Sequence, residues 1–242
     1  MRQNYLFGMR QAARQAKALQ IPEIAAIEFG VAGGKGLLLM EQVAESLEAE
    51  TGVRFRLYGF DLETGLPPSD DYRDLPYVWR AGFYKMDRAK LEPQLKRATL
   101  IIGNVGETVL TFIERYSPPV IGFVSFDLDL YTSTKLALNL FNSAASHFLP
   151  RTFCHFDDIA SGLDEIHCEW VGELLAIREF NDAHAARKIA KINGLSWNFG
   201  APEQWQDHTF VFHLFDHPTY KQYIDERTDR QLPLPDRLEY RA

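Results

Sequence analysis

Short apolar runs alternate with amphipathic stretches along most of the chain, and this alternation limits the possible folds more than any other feature. Seven runs have the length and apolar content of buried strands, at 24–29, 55–60, 98–102, 120–126, 152–156, 188–192 and 209–215. Segments with a helical pattern lie before the first run, at 3–19, and between later runs, at 36–50, 107–115, 132–148 and 165–184. Strands that alternate with helices pair in parallel through right-handed crossovers. The sequence therefore predicts an α/β fold, a doubly wound and mostly parallel sheet with helices on both faces.

No change in composition divides the 242 residues, so we predict a single domain, 1–242. Within it we expect an N-terminal helix at 1–20, a long loop at 62–87 and a polar C-terminal tail at 216–242. The loop contains three prolines and five aromatic residues, Tyr72, Tyr77, Trp79, Phe83 and Tyr84. It could cover a binding site as a lid, or dock its rings on the core or on a second copy in a homo-oligomer.

The charge balance is acidic, with 26 Lys and Arg against 33 Asp and Glu and a net charge of −7. Nucleic acid binding relies on clustered basic residues, so we expect no nucleic acid partner. No stretch approaches the roughly 20 apolar residues that span a bilayer, and the polar segment after Met1 does not resemble a signal peptide. We therefore expect a cytoplasmic protein with a small-molecule partner and no membrane contact.

Glycine and polar residues follow the first five predicted strands. Ligands of doubly wound sheets bind at the carboxyl ends of the strands, so these residues are candidates for a binding site. The first strand is followed by four glycines within 30–36, and such a turn brings backbone amides close to an anionic group. The spacing differs from the Gly-x-Gly-x-x-Gly of dinucleotide-binding folds. The alternative interpretation is a tight turn without a ligand.

Asp61 ends the second predicted strand, 33 residues after Glu28 (61 − 28). An acidic residue at this place in a nucleoside-binding sheet accepts hydrogen bonds from the ribose hydroxyls. Asp also favours helix and turn caps, which is the alternative for Asp61 alone. Together with the glycine turn, its position favours ribose binding.

Four aspartates, Asp127, Asp129, Asp157 and Asp158, follow two further strands. Carboxylates that converge without cationic neighbours repel each other, and a hard cation such as Mg²⁺ relieves this repulsion through oxygen ligands. The alternative is that Asp129 and Asp158 are N-caps of the helices that follow them. The cluster favours a metal site over capping.

Three blocks resemble the macrocin O-methyltransferase family. The first is Glu28-Phe29-Gly30-Val31-Ala32-Gly33-Gly34, and the second is Tyr58-Gly59-Phe60-Asp61 with Gly65-Leu66-Pro67. The third is Asp127-Leu128-Asp129-Leu130-Tyr131-Thr132-Ser133-Thr134, followed by Phe156-Asp157-Asp158. The resemblance covers about 23–215 and implies a seven-stranded Rossmann-like methyltransferase sheet.

The resemblance also implies an activity, transfer of a methyl group from S-adenosylmethionine to a hydroxylated small molecule. It implies that Asp129 is the catalytic base, and that Asp127, Asp157 and Asp158 bind Mg²⁺. The backbone of 30–34 would hold the methionine part of the cofactor, and Asp61 the ribose. The full set of expected cofactor-binding residues is Glu28, Gly30, Val31, Ala32, Gly33, Gly34, Asp61, Asn104 and Asp127.

Two other functions remain open from the sequence. The chain could bind S-adenosylmethionine without catalysis, or it could be an NAD(P)-dependent oxidoreductase that uses Glu28 and Asp61 for a dinucleotide. The missing dinucleotide motif and the aspartate cluster argue against the oxidoreductase. Among the histidines, His155 and His213 lie in predicted strands and are interpreted as structural.

Overall fold

The computed structural model describes residues 3–160 and 162–225. Met1, Arg2, Ser161 and 226–242 lie outside the described residues, and with them the larger part of the predicted C-terminal tail.

A single seven-stranded sheet organises the described residues, in the order β3-β2-β1-β4-β5-β7-β6. Its strands are β1 (Glu23–Phe29), β2 (Arg54–Asp61), β3 (Thr99–Ile102), β4 (Val120–Phe126), β5 (Phe148–Phe156), β6 (Arg187–Lys191) and β7 (Thr209–Leu214). Neighbours among β1 to β5 pair in parallel, whereas β7 runs antiparallel to both β5 and β6. The predicted mostly parallel sheet is confirmed.

Helices cover both faces of this sheet. The helices are α1 (Gln3–Ala18), α2 (Lys35–Thr51), α3 (Arg88–Leu91), α4 (Val105–Tyr116), α5 (Tyr131–Ala137), α6 (Gly172–Ala183) and α7 (Gln204–Asp207). Strand β1 shows the division, because successive side chains of a strand point to opposite faces. Ile24 and Ala26 belong to the apolar cluster formed with α1 and α2. Ala25, Ile27 and Phe29 belong to the cluster formed with α4, α5 and α6.

The parallel ladder continues one residue past the strands and aligns their carboxyl ends. The amide of Gly30 donates to the carbonyl of Phe60 (2.9 Å), that of Asp127 to Phe29 (2.9 Å) and that of Asp157 to Phe126 (3.0 Å). The chain winds outward from β1 to β3 and then returns to β4, so the strand order reverses between β1 and β4. Ligands of such sheets bind in the crevice at this reversal.

The helix predicted at 132–148 is wrong beyond Ala137. Helix α5 ends there, and short 3₁₀ turns at Leu138–Asn142 and Ala145–His147 follow. The Asn139 amide donates to the carbonyl of Leu136 (3.0 Å), a side-chain contact that competes with helical hydrogen bonding. Strand β5 begins at Phe148, four residues earlier than predicted, and buries that ring where it pairs with Ile121 of β4.

The helix predicted at 165–184 begins later, at Gly172. Ile166 (φ +50°) lies in the left-handed region, so a right-handed helix cannot run through it, and Gly172 (φ +57°) has a left-handed φ at the point where α6 starts. The segment before Gly172 forms turns.

Within residues 3–160 and 162–225, no helix combines the length and the apolar content required to cross a lipid bilayer.

Candidate functional site

A cavity of about 820 Å³ lies over the carboxyl ends of β1, β2, β4 and β5. Most of the residues that the sequence predicted for the site line it, namely Glu28, Gly30, Val31, Ala32, Gly33, Asp61, Asn104, Asp127, Asp129, Asp157 and Asp158. Gly34 is the exception. It precedes α2 with φ +80°, and its amide donates to the Val31 carbonyl (2.7 Å), so it shapes the turn from behind the cavity.

Gly30 is required by the close approach of β1 to β4. Its φ is +85°, and a Cβ atom added to it would lie 1.7 Å from the carbonyl oxygen of Asp127. No side chain can occupy that space. The backbone of Gly30 thus lies close to Asp127, and both residues line the cavity.

Glu28 lies under the glycine turn and is almost fully buried. Alternation along β1 directs it to the same face as α1, where the Tyr5 hydroxyl donates to its Oε1 (2.6 Å). The hydroxyl of Ser125 on β4 donates to the Tyr5 oxygen (3.0 Å). Helix α1 therefore holds part of the cavity floor in place.

Asp61 caps the glycine turn in this structure. Its Oδ2 accepts hydrogen bonds from the amides of Val31 (2.9 Å) and Ala32 (2.8 Å), and its Oδ1 accepts one from the amide of Glu63 (2.6 Å). Asn104 acts similarly at α4, where its side-chain oxygen accepts from the Gly106 amide (2.8 Å). The capping interpretation of Asp61 is therefore visible in the structure, and ribose binding stays a prediction.

Buried acidic groups link the ends of β4 and β5 to α6. The amide of Asp129, a residue with φ +60°, donates to Asp158 Oδ2 (2.8 Å). The amide of Asp158 donates to Glu173 Oε2 (3.0 Å), and the Thr134 hydroxyl donates to Glu173 Oε1 (3.2 Å). Glu173 thus connects three elements through one side chain.

These groups are held in a strongly negative environment. Burial, together with the charges of Asp127, Asp157 and Glu165, raises the pKa of Asp129 to about 8. Burial and neighbouring carboxylates also raise the pKa values of Asp158 and Glu173 well above the ordinary range. Of the described residues that line the cavity, eight are Asp or Glu, and Lys35 is the one Lys or Arg. The cavity therefore favours a cationic ligand.

We predict that Glu173→Ala lowers the free energy of unfolding by about 3 kcal/mol. The change leaves the Asp158 amide and the Thr134 hydroxyl without their acceptor inside the core and opens a cavity. Glu173→Gln keeps an acceptor oxygen and the side-chain volume, so it should cost less than half as much. Urea unfolding of the two variants checks this, and equal losses would contradict it.

His155, Asp157 and His208 form a second group at the cavity. Among residues 3–160 and 162–225, this is the group of three potential metal ligands whose donor atoms lie within 4.8 Å of one another. It contains one of the predicted metal ligands, Asp157, while Asp127 and Asp158 are not part of it. Sequence reasoning interpreted His155 as structural and passed over His208.

The aromatic loop at 62–87 lies partly over the cavity. Trp79 and the half-exposed Tyr84 line it, whereas Tyr72, Tyr77 and Phe83 are exposed and lie outside the lining. Burial and the nearby charges of Asp129 and Asp158 raise the pKa of Tyr84 to about 12.

One contact of this loop ties it to the start of α5. The carboxylate of buried Asp74 accepts hydrogen bonds from the amide (2.7 Å) and the hydroxyl (2.8 Å) of Thr132. The loop is therefore docked against the acidic side of the site.

No protein-family model matches this chain, and no curated protein matches it. Solved structures do match, and for each of the following the alignment covers 87% of this chain and 79% of the other. CalS11, a calicheamicin methyltransferase, has a TM-score of 0.60 at 24% identity. Its apo structure, described as a TDP-rhamnose 3'-O-methyltransferase of calicheamicin biosynthesis, has 0.52 at 22%, and the O-methyltransferase NovP has 0.55 at 14%. The chain therefore has the Rossmann-like fold of these methyltransferases.

Proposed function

We propose that the chain is an S-adenosylmethionine-dependent methyltransferase that acts on a hydroxyl group of a small molecule. The carrying observation is the cavity at the strand-order reversal, where a glycine turn and Asp61 face an acidic cluster. Its eight acidic residues and one lysine suit the positively charged sulfonium of that cofactor. The shared fold with O-methyltransferases supports the same activity.

The residues divide into a cofactor half and an acceptor half. In the cofactor half, the backbone of 30–34 would hold the methionine part, and Asp61 the ribose hydroxyls. Asn104 lines the same half of the cavity from the start of α4. Trp79 and Tyr84 of the aromatic loop would exclude water.

The chemistry requires a proton acceptor beside the attacking hydroxyl. When bound, the cofactor supplies the methyl group, whose carbon–sulfur bond breaks as the acceptor oxygen bonds to the carbon. Asp129 takes the hydroxyl proton on its carboxylate. Without a metal ion its pKa of about 8 lies close to neutral pH, where a general base is most effective.

A divalent cation suits the residues at the ends of β4 and β5 because Asp127, Asp157 and Asp158 all line the cavity and offer carboxylate oxygens. Asp127, Asp157 and Asp158 would hold Mg²⁺ through their oxygens. Held there, the cation would supply Lewis-acid chemistry that lowers the pKa of the acceptor hydroxyl, and Asp129 would take the proton of that hydroxyl.

We expect S-adenosylhomocysteine to bind at one site per chain, and Asp61→Asn to weaken binding at least tenfold. The substitution removes the charge that would hold the ribose and turns an NH2 group toward backbone donors, either those of Val31 and Ala32 or that of Glu63. Calorimetry measures both proteins. Asp87→Asn is the matched control. The Asp87 carboxylate also accepts a hydrogen bond from a backbone amide, that of Lys90, but Asp87 lies outside the cavity lining.

Binding of a nicotinamide dinucleotide with no binding of S-adenosylhomocysteine would overturn the proposal in favour of an oxidoreductase. A turnover assay then distinguishes a methyltransferase from a protein that binds the cofactor without catalysis. Hydroxylated acceptors are incubated with S-adenosylmethionine and screened for a gain of one methyl group by mass spectrometry, beginning with TDP-rhamnose because of the likeness to CalS11. Cofactor binding without methylation of any acceptor would favour the non-catalytic alternative.

A further inference from the structure

We propose that His155, Asp157 and His208 form a binding site for a transition-metal ion such as Zn²⁺, held by two imidazole nitrogens and one carboxylate oxygen. His155 lies on β5 and Asp157 directly follows that strand, two residues later, which places both side chains on the same side of the extended chain. His208 immediately precedes β7, whose next residue Thr209 pairs with His155. The antiparallel pairing of β5 and β7 therefore gathers all three.

His208 has a nitrogen ready to bind an ion. Its Nδ1–H donates to the Phe156 carbonyl (2.9 Å), so Nε2 carries the lone pair. That Nε2 is buried and no group of the described residues donates a hydrogen bond to it, while the whole side chain is only 4% exposed. A buried acceptor without a donor is costly, and a metal ion would satisfy it. Metal-binding histidines commonly donate their other N–H to a backbone carbonyl, as His208 does.

The other two donors are already adjacent. His155 Nε2 lies 3.0 Å from Asp157 Oδ1 and 2.8 Å from the side-chain nitrogen of Asn4. Two ligands of one tetrahedral zinc ion, each about 2.0–2.2 Å from the metal, lie about 3.4 Å apart, close to the separation of these two atoms. The donor atoms of all three residues lie within 4.8 Å of one another, and a bound ion would replace the contacts of His155 Nε2 with Asn4 and Asp157.

The ligand set selects the class of metal. Imidazole suits Zn²⁺, Co²⁺ and Ni²⁺, whereas Mg²⁺ prefers oxygen ligands. Asp157 also belongs to the aspartate set proposed for Mg²⁺, so the two sites compete for one carboxylate. Three protein ligands leave a coordination position open, and all three residues line the cavity. An acceptor oxygen or a water could occupy that position.

Metal titration of the untagged, metal-free protein tests the proposal, with Zn²⁺ and Mg²⁺ followed by calorimetry and Co²⁺ by its visible absorption. We expect one Zn²⁺ or Co²⁺ per chain, bound at least 100-fold more tightly than Mg²⁺, and a Co²⁺ spectrum that Zn²⁺ abolishes. His208→Gln and His155→Gln should each weaken Zn²⁺ binding at least tenfold.

His213→Gln is the matched control, because His213 lies on β7 but bonds to the Tyr220 hydroxyl, and it should bind Zn²⁺ as the wild type does. Asp158→Asn should retain the Co²⁺ spectrum, since Asp158 is outside the group. Tighter binding of Mg²⁺ than of Zn²⁺, or unchanged Zn²⁺ affinity in both folded histidine variants, would overturn the proposal. Circular dichroism establishes which variants are folded. If one histidine variant does not fold, the Zn²⁺ affinity of the other decides the test. The titration contains no S-adenosylhomocysteine, so its failure is distinct from failure of the proposed methyl transfer.

Discussion

Asp129→Asn is expected to stabilise the protein at pH 8 while lowering kcat by about 100- to 10,000-fold, the usual contribution of a general base. The stability gain arises because the folded protein holds this carboxyl at a pKa of about 8, against an ordinary value of 3.8. A carboxyl with a raised folded pKa contributes its full stability below its unfolded pKa. That contribution is lost as the pH rises from about 4 through about 8.

The size of the gain follows from the same shift. One pKa unit corresponds to about 1.4 kcal/mol, so the penalty for Asp129 approaches about 5 kcal/mol at pH 8 and is far smaller at pH 5. Asparagine has a similar shape, carries no charge and tolerates the left-handed φ of +60°. Its advantage over aspartate should therefore grow as the pH rises.

Urea unfolding of both proteins in EDTA at pH 5 and pH 8 measures this effect without any acceptor. Asp87→Asn, at an exposed helix start outside the cavity lining, is the control for the exchange of aspartate for asparagine itself. Equal stability differences between Asp129→Asn and wild type at the two pH values would contradict the prediction. When EDTA is replaced by Zn²⁺ or Mg²⁺, the destabilisation of the wild type by Asp129 at pH 8 should become smaller, because a cation near the cluster favours the ionised carboxylate.

Gly30→Ala is expected to lower the free energy of unfolding by at least about 3 kcal/mol, or to prevent folding, and to abolish S-adenosylhomocysteine binding. The added Cβ would lie 1.7 Å from the Asp127 carbonyl oxygen. The ends of β1 and β4 would have to separate, at the place where the cofactor is proposed to bind.

Gly52→Ala separates this collision from backbone strain. Gly52 has a similar φ, +77° against +85°, but no atom lies within 4 Å of its added Cβ. It should therefore show only the strain of a left-handed alanine, about 1–2 kcal/mol. Equal losses for the two variants in urea unfolding would show that the approach of β1 to β4 is not the reason for glycine at position 30.

The residues that follow parallel strands could be predicted from the sequence because the ladder aligns those strand ends. Once β1 and β4 are recognised as neighbouring buried strands, Gly30 and Asp127 must lie at the same edge, and the structure places them in contact. The same reasoning brought Asp61 and Asp157 to the cavity. The hydrogen bonds of Asp61 to the glycine turn depend on local geometry and could not be predicted.

His208 could not be predicted because it precedes an antiparallel strand, whereas the site residues predicted from the sequence follow parallel strands. Strand β7 begins, rather than ends, at the cavity edge, so the residue before it faces the site. The apolar pattern of 209–215 indicates a strand but not its direction. The predicted helix at 132–148 failed for a related reason, since burial of Phe148 beside β4 outweighs the helical spacing that precedes it.

The acidic lining of the cavity has a consequence for turnover. Under the proposed reaction the sulfonium becomes a neutral thioether and Asp129 takes up a proton, so the ligand loses its positive charge while the other carboxylates of the lining remain. The negative lining therefore attracts the cationic S-adenosylmethionine more strongly than the neutral S-adenosylhomocysteine. Methyl transfer would itself weaken binding of this product and favour its replacement by a new cofactor molecule. Added salt should reduce this difference in affinity.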